Sequence, residues 1–305
     1  MLAGCLVLAA CSSSAAPAGR RAAAPVPVTT GHGHPAPTHS APPLPPTPEA
    51  KPTRRVKHSA APSSSAAPST SAPPSTSASS VPPVSGRPTV VLNPGHNGGN
   101  ASHVADINRL VPSGYGQEKA CDTAGTVTDA GYPEHAFNWS VSNTVAAILR
   151  AHGVRVVLTR PSDDGVGPCV DRRAAIGNRP DVAAVVSIHA DGAYAAAHGF
   201  HVNQDSRTPD GATRRVARQS YRLGRVLHDA LAGSSGLVPA NYVGTDGYFY
   251  RADLAGLNLA TRPATFLELG NMKNPGDSAL QSSASGRRRI ARAVAAGILT
   301  YLARS

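Results

Sequence analysis

No Phe, Trp, Tyr or Ile stands before residue 86, whereas 17 of the chain's 28 prolines do, scattered among Ser, Thr and Ala. A segment with so little to bury cannot offset the entropy of ordering its backbone, so residues 12–85 are expected to be a disordered Pro/Ser/Ala-rich linker. Where it is polyproline-like, at ~3.1 Å per residue, this linker reaches at most roughly 230 Å. Folding is therefore left to residues 86–305, enough for one three-layer core. The net charge of +11 divides as +5 before residue 86 and +6 after it. Both parts suit anionic partners such as nucleic acid, lipid head groups or a cell-wall polymer, and charge alone does not choose among them.

Within residues 86–305, β-branched runs alternate with helical patterns. Strands are expected at 89–94, 154–159, 182–189 and 264–269, with shorter ones near 199–203 and 248–250. Phe137, Val141, Val145, Ile148 and Leu149 recur at helical spacing, giving a core-facing helix over 134–151 that ends at His152-Gly153. Further helices are expected at 170–178, 212–232 and 287–303; the last presents Ile290, Val294, Ile298, Tyr301 and Leu302 as one apolar stripe. Residues 98–133 show no strong period and read as a long functional loop or small hairpin, placed beside His96 where it can cover a groove. Alternation of this kind predicts an α/β fold of three layers, αβα, around a mostly parallel twisted sheet flanked by helices.

Three of the strand runs end on side chains able to bind metal or move protons. They are Val90-Val91-Leu92-Asn93-Pro94-Gly95-His96, Val185-Val186-Ser187-Ile188-His189 and Ala264-Thr265-Phe266-Leu267-Glu268. Parallel sheets gather functional groups beyond the carboxyl ends of their strands, so residues far apart in sequence can converge there. Glu134 joins them. At 100° per residue it shares a helix side with Phe137 and Val141 and so points toward the sheet, where an anion is costly unless a cation meets it. His135 points about 100° away and is the poorer candidate. Two imidazoles and a carboxylate form a zinc set with a fourth position open to water.

These residues resemble the zinc-dependent N-acetylmuramoyl-L-alanine amidases of the type 3 amidase family. Four blocks carry the resemblance in order: Val-Leu-Asn-Pro-Gly-His96-Asn-Gly-Gly; Glu134 with its helix and Gly153-Val-Arg-Val-Val-Leu-Thr-Arg160; Val-Ser-Ile-His189-Ala; and Phe-Leu-Glu268-Leu-Gly-Asn-Met-Lys-Asn-Pro-Gly-Asp277. The resemblance implies that His96, Glu134 and His189 hold Zn²⁺ and that Glu268 is the catalytic carboxylate. The substrate implied is peptidoglycan or its muropeptides, cut between the muramoyl lactyl group and L-alanine by a monomeric enzyme with no nucleic-acid partner. Arg251 resembles a basic residue that precedes the family's last strand and is a candidate substrate contact. The chain departs from the family at Asn93, Asp191 and Met272, where Asp, Asn and an aromatic residue are usual.

Met1 to Leu8 is apolar, and Leu8-Ala9-Ala10-Cys11 resembles the lipobox at which bacterial lipoproteins are cut and lipidated, although no Lys or Arg precedes it. Residues 1–11 are thus expected to direct export to the cell wall or a periplasm-like space, with Cys11 a lipidation candidate. No later stretch is long and apolar enough to span a bilayer. Export makes Cys121 and Cys169 an expected disulfide, bracing loops around the site. Arg287-Arg288-Arg289 reads as a solvated face, with an anion docked nearby as the alternative. Two other functions fit the same residues: a peptidoglycan-binding or regulatory lipoprotein of this fold without turnover, and a zinc hydrolase acting on another amide.

Overall fold

The structure is a computed structural model, and it describes residues 86–305. Cys11, the export segment and the linker lie outside the described residues. The chain runs β1 (Thr89–Pro94), a 3-10 turn (Asn100–Ser102), α1 (Val104–Asn108), β2 (Leu110–Gly114), β3 (Gln117–Ala120), α2 (Glu134–Ala151), β4 (Arg155–Leu158) and α3 (Val170–Gly177). It continues with β5 (Val182–Asp191), β6 (His201–Asp205), α4 (Arg214–Ser234), β7 (Tyr248–Arg251), α5 (Ala255–Asn258), β8 (Ala264–Asn271), α6 (Pro275–Ser282) and α7 (Ala284–Ala303).

Six strands form one twisted sheet in the order β4-β1-β5-β8-β6-β7. All neighbours pair in parallel except β8 and β6, which are antiparallel, so the sheet is mixed. The pleat sorts side chains to two faces. Val90, Leu92, Val186, Ile188, Leu267 and Leu269 pack with α2, α4 and α7. Val91, Val185 and Ala264 meet Leu257 of α5 and Ile176 of α3 on the opposite face. This alternation places Phe266, Glu268 and His189 on the side of the thinner α3/α5 layer.

The segment 98–133, expected as a long loop or small hairpin, contains α1 and the β2–β3 hairpin, a separate two-stranded sheet. Besides α1, two helices go beyond the expected elements. The one-turn α5 is too short to show a period, and α6 starts at Asn274-Pro275, where the Asn side chain accepts from the amides of Gly276 and Asp277 and Pro sits where no amide is needed. Ser283 caps α7 by accepting from Gly286 N, so that helix begins before the expected residue 287. Arg287 is not simply solvated. Its guanidinium donates to the carbonyls of Gln281 and Ser282 at the end of α6 and lies over the Tyr132 ring, while Arg289 donates to the carbonyl of Ser234 at the end of α4. Cations at helix carboxyl ends satisfy orphan carbonyls. Among the described residues no helix is long and apolar enough to cross a membrane.

Candidate metal centre

His96 follows β1, and its backbone is left-handed with φ 57°, a conformation uncommon for any residue but glycine. Two buried arginines hold this turn. Arg173 donates to the carbonyls of Pro94 (2.7 Å) and His96 (3.0 Å), and Arg160 donates to Pro94 O (3.0 Å) and His135 O (2.9 Å) while pairing with Asp163. Asn93 takes part by accepting from Arg173 and from Thr159 Oγ1 and donating to Ser187 Oγ. The turn's carbonyls thus find donors without ladder bonds.

His189 is beside Gly95, because Pro94 and Ile188 are register partners in β1 and β5. A Cβ on Gly95 would fall 2.0 Å from the His189 ring, so only glycine fits there. The imidazole stacks on Phe266 at 4.2 Å and meets the His96 ring edge-on at 4.8 Å.

Glu134 opens α2 and comes from the other helical layer; it is buried as its helix face predicts. Its Oε1 receives His189 Nδ1 at 3.0 Å, Asn138 Nδ2 at 3.1 Å and the amide of Ala190 at 3.2 Å. Its Oε2 receives the Thr126 amide at 2.9 Å and lies 3.3 Å from His96 Nε2. One ligand atom from each of His96, Glu134 and His189 can be chosen so that all lie within 4.8 Å of one another. His135 turns away, as expected, to Asp163 at 2.8 Å.

Sequence reasoning missed Asp122. Its Oδ1 lies 3.0 Å from His96 Nδ1, and its Oδ2 accepts from Arg173. Asp122 follows Cys121, whose disulfide to Cys169 is present as expected. Burial disfavours an imidazolium at His96, yet Glu134 and Asp122 outweigh it and push its pKa up to about 10. Burial likewise opposes the charge on Glu134, but the two imidazoles hold it well below the ordinary carboxylate range. His189 is lowered, chiefly by burial.

Glu268 is the register partner of His189 across β5 and β8 and of His201 across β8 and β6. Burial, then the negative charges of Glu134 and Asp191, raise its pKa well above the ordinary value, and its Oε2 has no hydrogen-bond partner among the described residues. Asp191 is engaged by Tyr242 OH (2.9 Å) and His201 Nε2 (3.2 Å), and Met272 is fully buried. His96, His189, Glu268, Phe266, Lys119 and Arg251 share one cavity of about 260 Å³. Arg251 is on its wall, with Nε and Nη2 both bound to Asp253 at 2.6 Å. The hairpin supplies another wall and is anchored by Asn258 Nδ2 to Ser113 O (2.7 Å) and by Tyr115 OH to Asp205 (2.6 Å).

Comparison with known proteins agrees with this geometry. Residues 90–300 match the family model for N-acetylmuramoyl-L-alanine amidase. The chain is 48% identical over 214 residues to the N-acetylmuramoyl-L-alanine amidase Rv3717 of Mycobacterium tuberculosis, covering 70% of this chain and 86% of that one. It resembles the crystal structure of the N-acetylmuramyl-L-alanine amidase Ami1 of Mycobacterium smegmatis, with TM-score 0.68 and 44% identity over 73% of this chain and all of that one. Apo Ami1 of Mycobacterium abscessus is similar at TM-score 0.66 and 49% identity, covering 70% of this chain and 98% of that one. With its sheet, its His-Glu-His cluster and these relatives in agreement, the chain belongs to the N-acetylmuramoyl-L-alanine amidase family.

Proposed function

We propose that residues 86–305 are the catalytic domain of an exported, zinc-dependent enzyme that hydrolyses the amide between N-acetylmuramic acid and L-alanine in peptidoglycan. The observation that carries this reading is the buried Glu134 carboxylate facing two imidazoles, with Glu268 on the same cavity wall. The donor set fits zinc: two ring nitrogens and a carboxylate, with the cavity as the open side. His96 through Nε2, His189 through Nδ1 and Glu134 through its carboxylate would hold Zn²⁺, and Asp122 would orient His96 from behind. When bound, the ion supplies Lewis acidity toward the amide carbonyl and makes water easier to deprotonate.

Glu268 takes the proton of the attacking water and delivers it to the nitrogen of the departing L-alanine. A carboxyl group whose pKa is raised by burial suits both halves of that transfer, because it accepts and releases a proton nearer neutral pH. Phe266 fixes the His189 ring, and the walls made by the hairpin and by Arg251 confine the peptide. In this reading residues 1–11 direct export, Cys11 can carry a lipid anchor to the outer face of the membrane, residues 12–85 tether the domain, and the enzyme works as a monomer in the cell wall or periplasm-like space.

The test is incubation of the full-length protein with muramyl dipeptide and with purified sacculi. Release of free peptide with zinc, none after chelation, and a loss of about 10²–10⁴-fold in kcat for Glu268→Gln are expected. Undiminished turnover in Glu268→Gln would end the proposed role for that residue. Binding of sacculi with no released peptide under any metal supply would favour the non-catalytic lipoprotein instead.

A further inference from the structure

One lysine and two arginines line the cavity, and both arginines are already neutralised. Arg251 is held by both carboxylate oxygens of Asp253, and Arg173 pairs with Asp122. Lys119, on β3 of the hairpin, has no carboxylate within 4.0 Å among the described residues; its ammonium donates to the main-chain carbonyl of Asp253 at 2.9 Å. The neighbouring Glu118 is exposed and, by the alternation of a strand, projects to the other side. Lys119 is half-buried on the same cavity as His189 and Glu268. Burial lowers its pKa, Asp253 opposes this, and the positive charge of Arg251 lowers it further. A partly desolvated ammonium with no carboxylate in contact is costly, and a carboxylate entering the cavity would lower that cost.

We propose that Lys119 is a specificity-determining residue that binds a carboxylate of the stem peptide, on the residue that follows L-alanine. This rests on the amidase reading above, which puts the scissile amide at His96, His189 and Glu268 and leaves the first stem residues to fill the rest of a cavity of about 260 Å³. The nearest acidic group that the reaction leaves untouched is then that of the second residue, present where it is glutamate and absent where that carboxylate is amidated. Lysine suits this task as a compact point charge on a flexible stem, able to follow a carboxylate that moves with the peptide.

The test compares the full-length, zinc-supplied protein on muramyl-L-alanyl-D-glutamate γ-methylamide and on its isoglutamine counterpart, which differ only in the α-carboxylate because the γ-carboxyl is blocked in both. The native protein is expected to show a KM about tenfold lower for the carboxylate form, the scale of one charge-assisted hydrogen bond. Lys119→Met and Lys119→Gln should erase that preference by raising one KM, with kcat within about twofold and melting temperature retained; Lys119→Arg should restore part of it. Titration calorimetry with the two product dipeptides provides the same comparison without turnover. A native protein that cleaves both forms equally well, a Lys119→Met variant that keeps the preference, or one that loses kcat equally on both would overturn the subsite while leaving the amidase standing. A native protein that cleaves neither but binds the carboxylate dipeptide more tightly would overturn the amidase reading and leave Lys119 as an anion-binding residue.

Discussion

Asp122 Oδ1 and His96 Nδ1 are 3.0 Å apart, on the side of the imidazole away from Glu134. That contact fixes which ring nitrogen is left for a metal and keeps the ring from rotating. Asp122→Ala is therefore expected to weaken zinc affinity about 10–100-fold, measured by equilibration against graded chelator. An affinity equal to that of the native protein would remove Asp122 from the metal centre.

Gly125 and Gly131 provide a matched pair. Both have left-handed backbones, φ 80° and 86°, but a Cβ on Gly125 would sit 2.8 Å from both His96 Cδ2 and Glu134 Oε2, whereas one on Gly131 would meet nothing within 4 Å. Gly131→Ala should cost only the backbone preference, about 1–2 kcal/mol. Gly125→Ala should cost more and also lower the zinc content. Equal stability losses and full zinc occupancy in both variants would show that Gly125 serves the turn alone.

The Cys121–Cys169 bridge joins the residue before Asp122 to the amino end of α3, the helix that carries Arg173. It closes a loop of 48 residues in sequence separation, so chain entropy assigns it at most about 4 kcal/mol. A Cys121→Ser/Cys169→Ser double variant is expected to unfold at lower denaturant concentration and, because Asp122 and Arg173 are no longer braced together, to bind zinc more weakly. Denaturant titration and chelator competition read the two effects separately. Lower stability with unchanged zinc affinity would confine the bridge to a general role.

Asp181 ties the start of β1 to the start of β5. Arg179 and then Thr89 Oγ1 lower its pKa from 3.8 to about 2. A depressed carboxylate pKa stabilises the fold fully above its unfolded value, and that contribution is lost as pH falls through the folded value. Asp181→Asn should thus lower the melting temperature slightly at neutral pH, with a difference that shrinks between pH 4 and pH 2 and then vanishes. A difference undiminished from neutral pH down to pH 2 would point to lost packing instead of lost charge. The effect should be small because the group faces solvent.

His96, Glu134, His189 and Glu268 were legible in sequence because each is fixed by local periodicity. His96 follows an apolar strand, His189 and Glu268 stand near the carboxyl ends of strands that continue to Asp191 and Asn271, and Glu134 lies one helical step from core residues. The supporting residues were not, for a reason visible at Arg160 and Arg173. They are 1% and 3% exposed, yet nothing in their local sequence separates them from surface arginines, since their partners are carbonyls freed by the distant turn at Pro94–His96. A small hairpin is one of the two readings of residues 98–133, but its docking was hidden in the same way: Tyr115 and Lys119 find their partners at Asp205 and Asp253, far along the chain. The start of α6 was readable from Asn274-Pro275, but the antiparallel sense of β6 was not, because strand direction depends on how intervening segments cross the sheet.

The strand order also fixes what an incomplete chain can be. β8 is the last strand made, yet it lies between β5 and β6, both of which precede it. A polypeptide ending before Ala264 already carries all three candidate ligands, but it lacks Glu268 and the strand that pairs with both β5 and β6. On the proposed role of Glu268, such a fragment would hold the candidate ligands without the proton-transferring carboxylate, so hydrolysis is expected only once the strand joining the two parts of the sheet has been made.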